Sequence, residues 1–188
     1  MKIKQVESLL KAAKHIELFT ERGCQWLGDG MAFYPVYNLP KLTREHIFTI
    51  FDVPEDKRNK FFFGEQDPPA HIDLKDFSDH ERLVNRFRLS FVIGGRTVEL
   101  IETDVGLVCL DGKYLKPFQG EPEGFELYER ISSKTGVYIA VKTGHSLAGV
   151  IMPLRIVGEE FVQELEHIVN LARFALPDTE NTQCKLCE

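Results

Sequence analysis

Hydrophobic and polar positions repeat one pattern twice along this chain. Residues 26–51 and residues 139–165 each contain a short strand-like run, a turn with glycine, a second strand-like run, a proline and an amphipathic segment of helical period. A repeated unit favours one packing arrangement used twice, related by a local twofold axis. We therefore predict that the two segments superpose as strand, turn, strand and helix.

Helical spacing predicts three helices. Apolar residues recur every three or four positions over 6–18, which indicates an amphipathic helix. A short helix is expected over 45–51, with Thr43 as its N-cap. A third is expected over 159–174, where apolar positions again follow the helical period.

The rest of the chain has the patterning of antiparallel strands joined by tight turns. Turn pairs that contain glycine separate short apolar runs, which is typical of hairpins. The strands are predicted over 25–36 (a hairpin about Gly28-Asp29-Gly30), 88–93, 97–103, 106–110, 113–117, 137–141 and 147–156. Residues 125–132 fit a strand or a short helix. The fold class follows as α+β, an antiparallel sheet with helices packed on one face and an internal helix-plus-hairpin repeat.

A chain of 188 residues suits one large domain or two small ones. The predicted organisation is a first repeat unit over 1–70, a second over 78–177 and a flexible tail over 178–188. One compact domain overall is the alternative.

The formal net charge of −6 argues against a nucleic-acid-binding protein whose whole surface is basic. A local basic strip is still compatible with that sum. Lys11, Lys14, Arg82 and Arg86 are the predicted phosphate-facing residues, with weak DNA binding that ignores sequence, and ordinary surface charge is the alternative. The chain has no apolar run of membrane-spanning length and opens on a charged segment, so we expect a cytoplasmic protein without a membrane partner.

Common catalytic signatures are missing from the sequence. It has no nucleophile elbow, no phosphate-binding glycine loop and no zinc-protease motif, so no catalytic residue, cofactor or metal site is predicted. Cys184 and Cys187 have the spacing of half a zinc site, but no second cysteine pair completes it. The densest group of metal-ligand types lies over 71–80 and contains His71, Asp73, Asp76, Asp79 and His80. An enzyme or small-molecule-binding protein centred there is one alternative function, and a structural subunit of an oligomer is another.

Two segments of the second repeat carry a resemblance. Residues 143–148, Thr-Gly-His-Ser-Leu-Ala, and residues 150–156, Val-Ile-Met-Pro-Leu-Arg-Ile, are similar to two segments of the bacterial sliding DNA clamp, the processivity ring of the replicative polymerase. In the clamp these segments line a pocket that takes short peptides from polymerases, and they come from different domains. Here they are consecutive.

The resemblance implies a clamp-like, non-catalytic accessory protein that associates with DNA or docks a DNA-processing partner. A mobile or phage-like element is a possible source of such a protein, and a homo-oligomer is a possible assembly. It implies a peptide-docking groove in which apolar side chains take the partner's apolar anchors and Arg155 orients it. The implied groove residues are Gly144, His145, Leu147, Val150, Met152, Pro153, Leu154 and Arg155. The alternative assigns 150–156 to the hydrophobic core.

Overall fold

The computed structural model describes residues 2–120, 124–132, 134, 136–154, 163, 164 and 166–171, and for 87–89 the backbone alone. The chain divides after Leu154 into two compact units. In the second unit the described residues, 163, 164 and 166–171, are helical, within the range predicted as the third helix. The tail at 178–188, with Cys184 and Cys187, lies outside the described residues, as does Arg155.

The described residues of the first unit form three α-helices, one 3-10 helix and eleven strands. The helices are α1 (Ile3–Ala13), α2 (Arg44–Ile50), α3 (Glu55–Arg58) and the 3-10 helix Gly112–Phe118. The strands are β1 (His15–Glu21), β2 (Cys24–Gly28), β3 (Ala32–Val36), β4 (Phe62–Glu65), β5 (Arg82–Leu83), β6 (Asn85–Ile93), β7 (Arg96–Thr103), β8 (Gly106–Asp111), β9 (Glu126–Ser132), β10 (Gly136–Thr143) and β11 (Ser146–Ile151).

Helix α1 is shorter than its apolar spacing predicts. Val6 and Leu10 are buried on one side of the helix, as an amphipathic helix requires. The helix ends at Lys14, which adopts the left-handed conformation with φ of 52°. His15 then begins β1, so the prediction of helix over 15–18 was wrong: Ile16 and Leu18 continue the helical spacing but are buried in a strand.

The large sheet has eight strands in the order β4-β1-β2-β3-β11-β10-β9-β5. Both predicted hairpins are present as antiparallel pairs, β2 with β3 and β10 with β11. They meet where Phe33 of β3 pairs with Val150 of β11. The antiparallel meander β1-β2-β3 lies on one side of this junction, and the antiparallel meander β9-β10-β11 lies on the other. In each meander the last strand in chain order lies at the junction.

Superposition of the two repeats stays a prediction, because residues 155–162 and 165 lie outside the described residues. The division into 1–70, 78–177 and 178–188 also stays a prediction. Strands from both of its larger segments share the eight-stranded sheet.

The two faces of the large sheet bury different clusters. One face packs against α1, α2 and the 3-10 helix, through residues such as Leu10, Phe48 and Phe118. The other face buries an aromatic cluster that includes Phe19, Trp26, Phe33 and Tyr138. The helices thus pack on one face of a mostly antiparallel sheet, which confirms the α+β class.

A second sheet, β6-β7-β8, contains the antiparallel strands predicted over 88–93, 97–103 and 106–110. The strand predicted over 113–117 was wrong, because this stretch forms the 3-10 helix. Asp111 caps that helix by accepting a hydrogen bond from the Lys113 N–H at 3.1 Å. Residues 125–132, whose pattern fits either a strand or a short helix, contain strand β9.

Residues 66–81 form a long connection without helix or strand, here called the strap. The strap joins β4 to β5, which are the two outermost strands of the large sheet. Seven strand spacings amount to about 34 Å, whereas sixteen extended residues reach roughly 53 Å. Ile72 and Leu74 of the strap pack on the aromatic cluster, so the strap crosses the face opposite the helices.

Among the described residues, no helix combines the length and the apolar character needed to cross a membrane.

Candidate functional site

An apolar groove of about 340 Å³ opens at one end of the large sheet, where β3 ends and β10 turns into β11. Helix α1 contributes one wall through its first residue. The lining residues are Ile3, Pro35, Val36, Tyr37, Leu39, Thr143, Ser146, Leu147 and Ala148.

Three large side chains of this groove are exposed. Ile3 is 40% exposed, Tyr37 56% and Leu39 43%. The backbone at Asn38, with φ of 60°, turns the chain between the last two. Single exposed apolar residues are common on proteins, but several that share one concave surface mark an interaction site.

Hydrogen bonds fix the floor of the groove. The Tyr37 hydroxyl donates to the Leu147 carbonyl oxygen at 3.2 Å, and the Leu147 N–H donates to the Asp76 carboxylate at 2.7 Å. Burial is the main cause that raises the pKa of Tyr37, and the nearby Cys24 and Asp76 groups raise it further. Its phenol therefore stays protonated at neutral pH and serves as a donor.

One polar atom of the groove wall has no partner. Among the described atoms, the hydroxyl oxygen of Thr143 is buried and makes no hydrogen bond. Leaving a buried hydroxyl unpaired costs free energy.

The structure separates the residues predicted to form one docking groove. Leu147 lies under the groove with its side chain buried in the aromatic cluster, and Gly144 and His145 form the adjacent turn. Val150 is fully buried in the aromatic cluster and cannot contact a partner in this structure. This residue belongs to the core, as the alternative interpretation had it.

The other predicted groove residues lie at the far end of β11. Met152, Pro153 and Leu154 follow the strand, about 20 Å from the turn that precedes it. There the N–H of Met152 donates to the Met31 carbonyl at 2.7 Å and that of Leu154 to the Cys109 carbonyl at 2.8 Å. Arg155 lies outside the described residues.

A buried ionic cluster fastens the strap to the sheet. The Arg130 side chain on β9 is 1% exposed. Its guanidinium donates to the Glu81 carboxylate at 2.9 and 2.5 Å and to the carbonyl oxygens of Asp73, Lys75 and Asp76 at 2.9 to 3.3 Å. All its donor groups are thus used to hold one irregular segment.

Lys142 completes this cluster from β10. Its ammonium group pairs with Glu81 and lies 4.5 Å from the centre of the Phe77 ring and 4.7 Å from that of Tyr128. A buried cation between two aromatic faces and a carboxylate is well compensated. The cluster explains why three charged side chains can be buried side by side.

The four predicted DNA-facing residues have different surroundings. Lys11 donates to Glu7 at 3.2 Å and to the Phe51 carbonyl at 2.6 Å. Arg82 pairs with Glu129 and Asp104, and Arg86 pairs with Glu99. Lys14 is exposed at the end of α1. Three of the four cations therefore already have protein partners.

The acidic and histidine residues of 71–80 belong to the strap. The Asp73 carboxylate accepts the Lys75 N–H at 3.1 Å, and the Asp76 carboxylate is bonded to Leu147. In the described part of the chain, no three His, Cys, Asp or Glu side chains converge as a metal site would require. Cys24 and Cys109 are free thiols whose pKa values burial raises.

Sequence reasoning missed Ile3, Tyr37 and Leu39 as groove residues. The available signal was the run Tyr37-Asn38-Leu39-Pro40, in which large apolar residues occupy a turn. Arg130 was missed because its partners lie about fifty positions away in a segment without periodicity.

Comparisons of this chain with protein-family models, with curated proteins and with solved structures each gave no match. The arrangement of its own residues is therefore the basis for a functional proposal.

Proposed function

We propose that this protein is a non-catalytic docking protein whose apolar groove binds a short segment of a partner protein. The observation that carries the proposal is the convergence of three exposed apolar side chains, Ile3, Tyr37 and Leu39, on one concave surface. Its volume of about 340 Å³ is at the lower end of the range for ligand sites, roughly 300 to 1,000 Å³. A few side chains of an extended peptide match that size.

The chemistry of the lining supports binding rather than catalysis. Its side chains are aliphatic or proline, apart from the hydroxyls of Tyr37, Thr143 and Ser146. The raised pKa of Tyr37 makes the phenol a poor general base at neutral pH. What the groove offers a partner is apolar area above a floor held by hydrogen bonds.

A narrower proposal follows from the resemblance to sliding clamps, under which the partner is a DNA-processing protein. It is supported by segment 143–148 alone, since that segment adjoins the groove while 152–154 lies at the far end of β11.

The test is a selection of randomised decapeptides, displayed on phage, against the whole chain. We expect enriched peptides with two or three apolar anchors that bind in fluorescence polarisation. Leu39→Glu should abolish this binding, because it places a charge in the groove.

Ile50→Glu is the matched control, since Ile50 is 50% exposed and is not a groove residue. That variant should bind like the wild type. Lack of any enrichment, or peptides that bind equally to the Leu39→Glu variant, would overturn the proposal.

A further inference from the structure

The strap contacts the floor of the apolar groove through the carboxylate of Asp76. That carboxylate accepts the Leu147 N–H at 2.7 Å. Leu147 follows the turn between β10 and β11 and belongs to the groove floor. The bond therefore connects the strap to the groove, although the two residues are 71 positions apart in the sequence.

Leu147 lies where β3 and β11 have separated. In the described structure, β3 pairs with β11 at Val150 and Ile151, further from the turn than Leu147. Side chains bond to the main chain of Leu147 instead. The Asp76 carboxylate accepts its N–H, and the Tyr37 hydroxyl donates to its carbonyl oxygen at 3.2 Å. Two side chains thus satisfy main-chain groups that a neighbouring strand would otherwise pair with.

The position of Asp76 is itself fixed from inside the protein. The buried guanidinium of Arg130 donates to the Asp76 carbonyl oxygen at 3.3 Å and to two other carbonyl oxygens of the strap at 2.9 Å. From Asp76 the contacts continue to Leu147 and then to Tyr37, whose side chain is 56% exposed in the groove. A continuous series of hydrogen bonds therefore leads from the ionic cluster to a residue that an occupant of the groove would contact.

We infer that the strap controls binding in the groove, with Asp76 as the positioning residue. The inference rests on the proposed docking function and adds its regulation. While Asp76 holds the Leu147 N–H, the Leu147 carbonyl stays within reach of the Tyr37 hydroxyl, and the groove wall is ordered before a peptide arrives. Without that bond the peptide has to order the wall as it binds, which lowers its affinity.

The experiment measures the affinity of the tightest decapeptide from the selection by fluorescence polarisation. Asp76→Ala should weaken binding about fivefold, because the Leu147 N–H loses its acceptor. Asp76→Asn should restore most of the affinity, since its amide oxygen can still accept that N–H. The matched control is Asp73→Ala, which removes the same charge from the strap but a carboxylate that bonds within it, to the Lys75 N–H. That variant should bind like the wild type.

A double-mutant cycle separates positioning from general loosening of the strap. Tyr37→Phe removes the second bond to Leu147, so its effect combined with Asp76→Ala should be smaller than the product of the two single effects. Wild-type affinity in Asp76→Ala, or equal losses in Asp76→Ala and Asp73→Ala, overturns the inference. If binding is still lost in Leu39→Glu, the proposed function then stands. Failure of the selection itself removes both.

Discussion

Nε and Nη2 of Arg130 both donate hydrogen bonds to one carboxylate oxygen of Glu81, at 2.9 and 2.5 Å. This pair joins β9 to the last residue of the strap, inside the protein. Ile72 and Leu74 also pack on the sheet, and the Arg130–Glu81 pair adds a polar attachment at the C-terminal end of the strap.

Replacing Arg130 with Met should therefore destabilise the protein strongly. The change leaves Glu81 short of one positive partner and three strap carbonyls without a donor, at a cost of about 3 to 5 kcal/mol. Arg130→Lys should recover little, because an ammonium group cannot reproduce the planar fork of a guanidinium. Urea unfolding followed by the fluorescence of Trp26, the single tryptophan, measures the loss.

Arg22→Met is the control for this experiment. Arg22 is 62% exposed and faces Glu21 at 3.6 Å on the surface, so its loss should cost less than about 1 kcal/mol. Similar unfolding midpoints for the two variants would show that Arg130 does not fasten the strap.

Acid should weaken the same attachment. Burial alone would raise the pKa of Glu81, but hydrogen bonds and positive charge from Lys142 and Arg130 outweigh it and hold the pKa below its ordinary value of 4.5. A lowered pKa in the folded state means that stability is fully present above pH 4.5 and is lost as pH falls through the lower, folded-state value.

The Glu81→Gln variant checks this dependence. The difference in unfolding free energy between wild type and variant should be largest near neutral pH and should shrink below about pH 4. Urea midpoints measured from pH 7 down to pH 3 give the comparison. A constant difference over that range would refute the proposed role of the Glu81 charge.

Gly28→Ala should destabilise the first hairpin through a steric clash. A Cβ at this position would lie 2.2 Å from the Phe33 ring and 2.3 Å from the Ala32 carbonyl oxygen. Overpacking of this kind costs about 1 to 3 kcal/mol. Gly94→Asn is the control, because its side chain would meet open space and Asn tolerates the left-handed backbone at that turn. Thermal unfolding of both variants measures the difference.

DNA binding is best tested at Lys14. Lys11 also donates to the Phe51 carbonyl, so a Lys11→Glu change would disturb folding as well as charge. If α1 faces DNA, Lys14→Glu should weaken binding to all sequences equally and reduce its salt dependence. A mobility-shift titration at low salt, with Lys60→Glu as the charge control, makes the measurement. Undetectable binding, or equal affinity for both variants, removes the DNA-facing role of this helix.

The hairpins of this fold could be predicted from sequence because their turns have a local cause. Glycine next to aspartate at 28–30 and glycine at 144 permit tight reversals, and short apolar runs flank both turns. The N-cap at Thr43 was predictable for the same reason, and its hydroxyl does accept the His46 N–H.

Features set by distant contacts could not be predicted in this way. Helix α1 ends at a lysine rather than a glycine, and the apolar residues that follow it satisfy helical and strand spacing alike. The groove joins α1, β3 and β11, and the pairing of Phe33 with Val150 brings the two strands together. That contact joins residues more than a hundred positions apart, so the sequence around either strand does not predict it.

The same pairing dictates the order in which the protein can form during synthesis. β3 leaves the ribosome early, whereas its partner β11 is among the last strands of the first unit to be made. Until then the nascent chain carries an open strand edge with Phe33 on it, which favours association with other chains. Contacts so distant in sequence also form slowly. Production of this protein should therefore depend on whatever shields the growing chain until Ile151 has emerged.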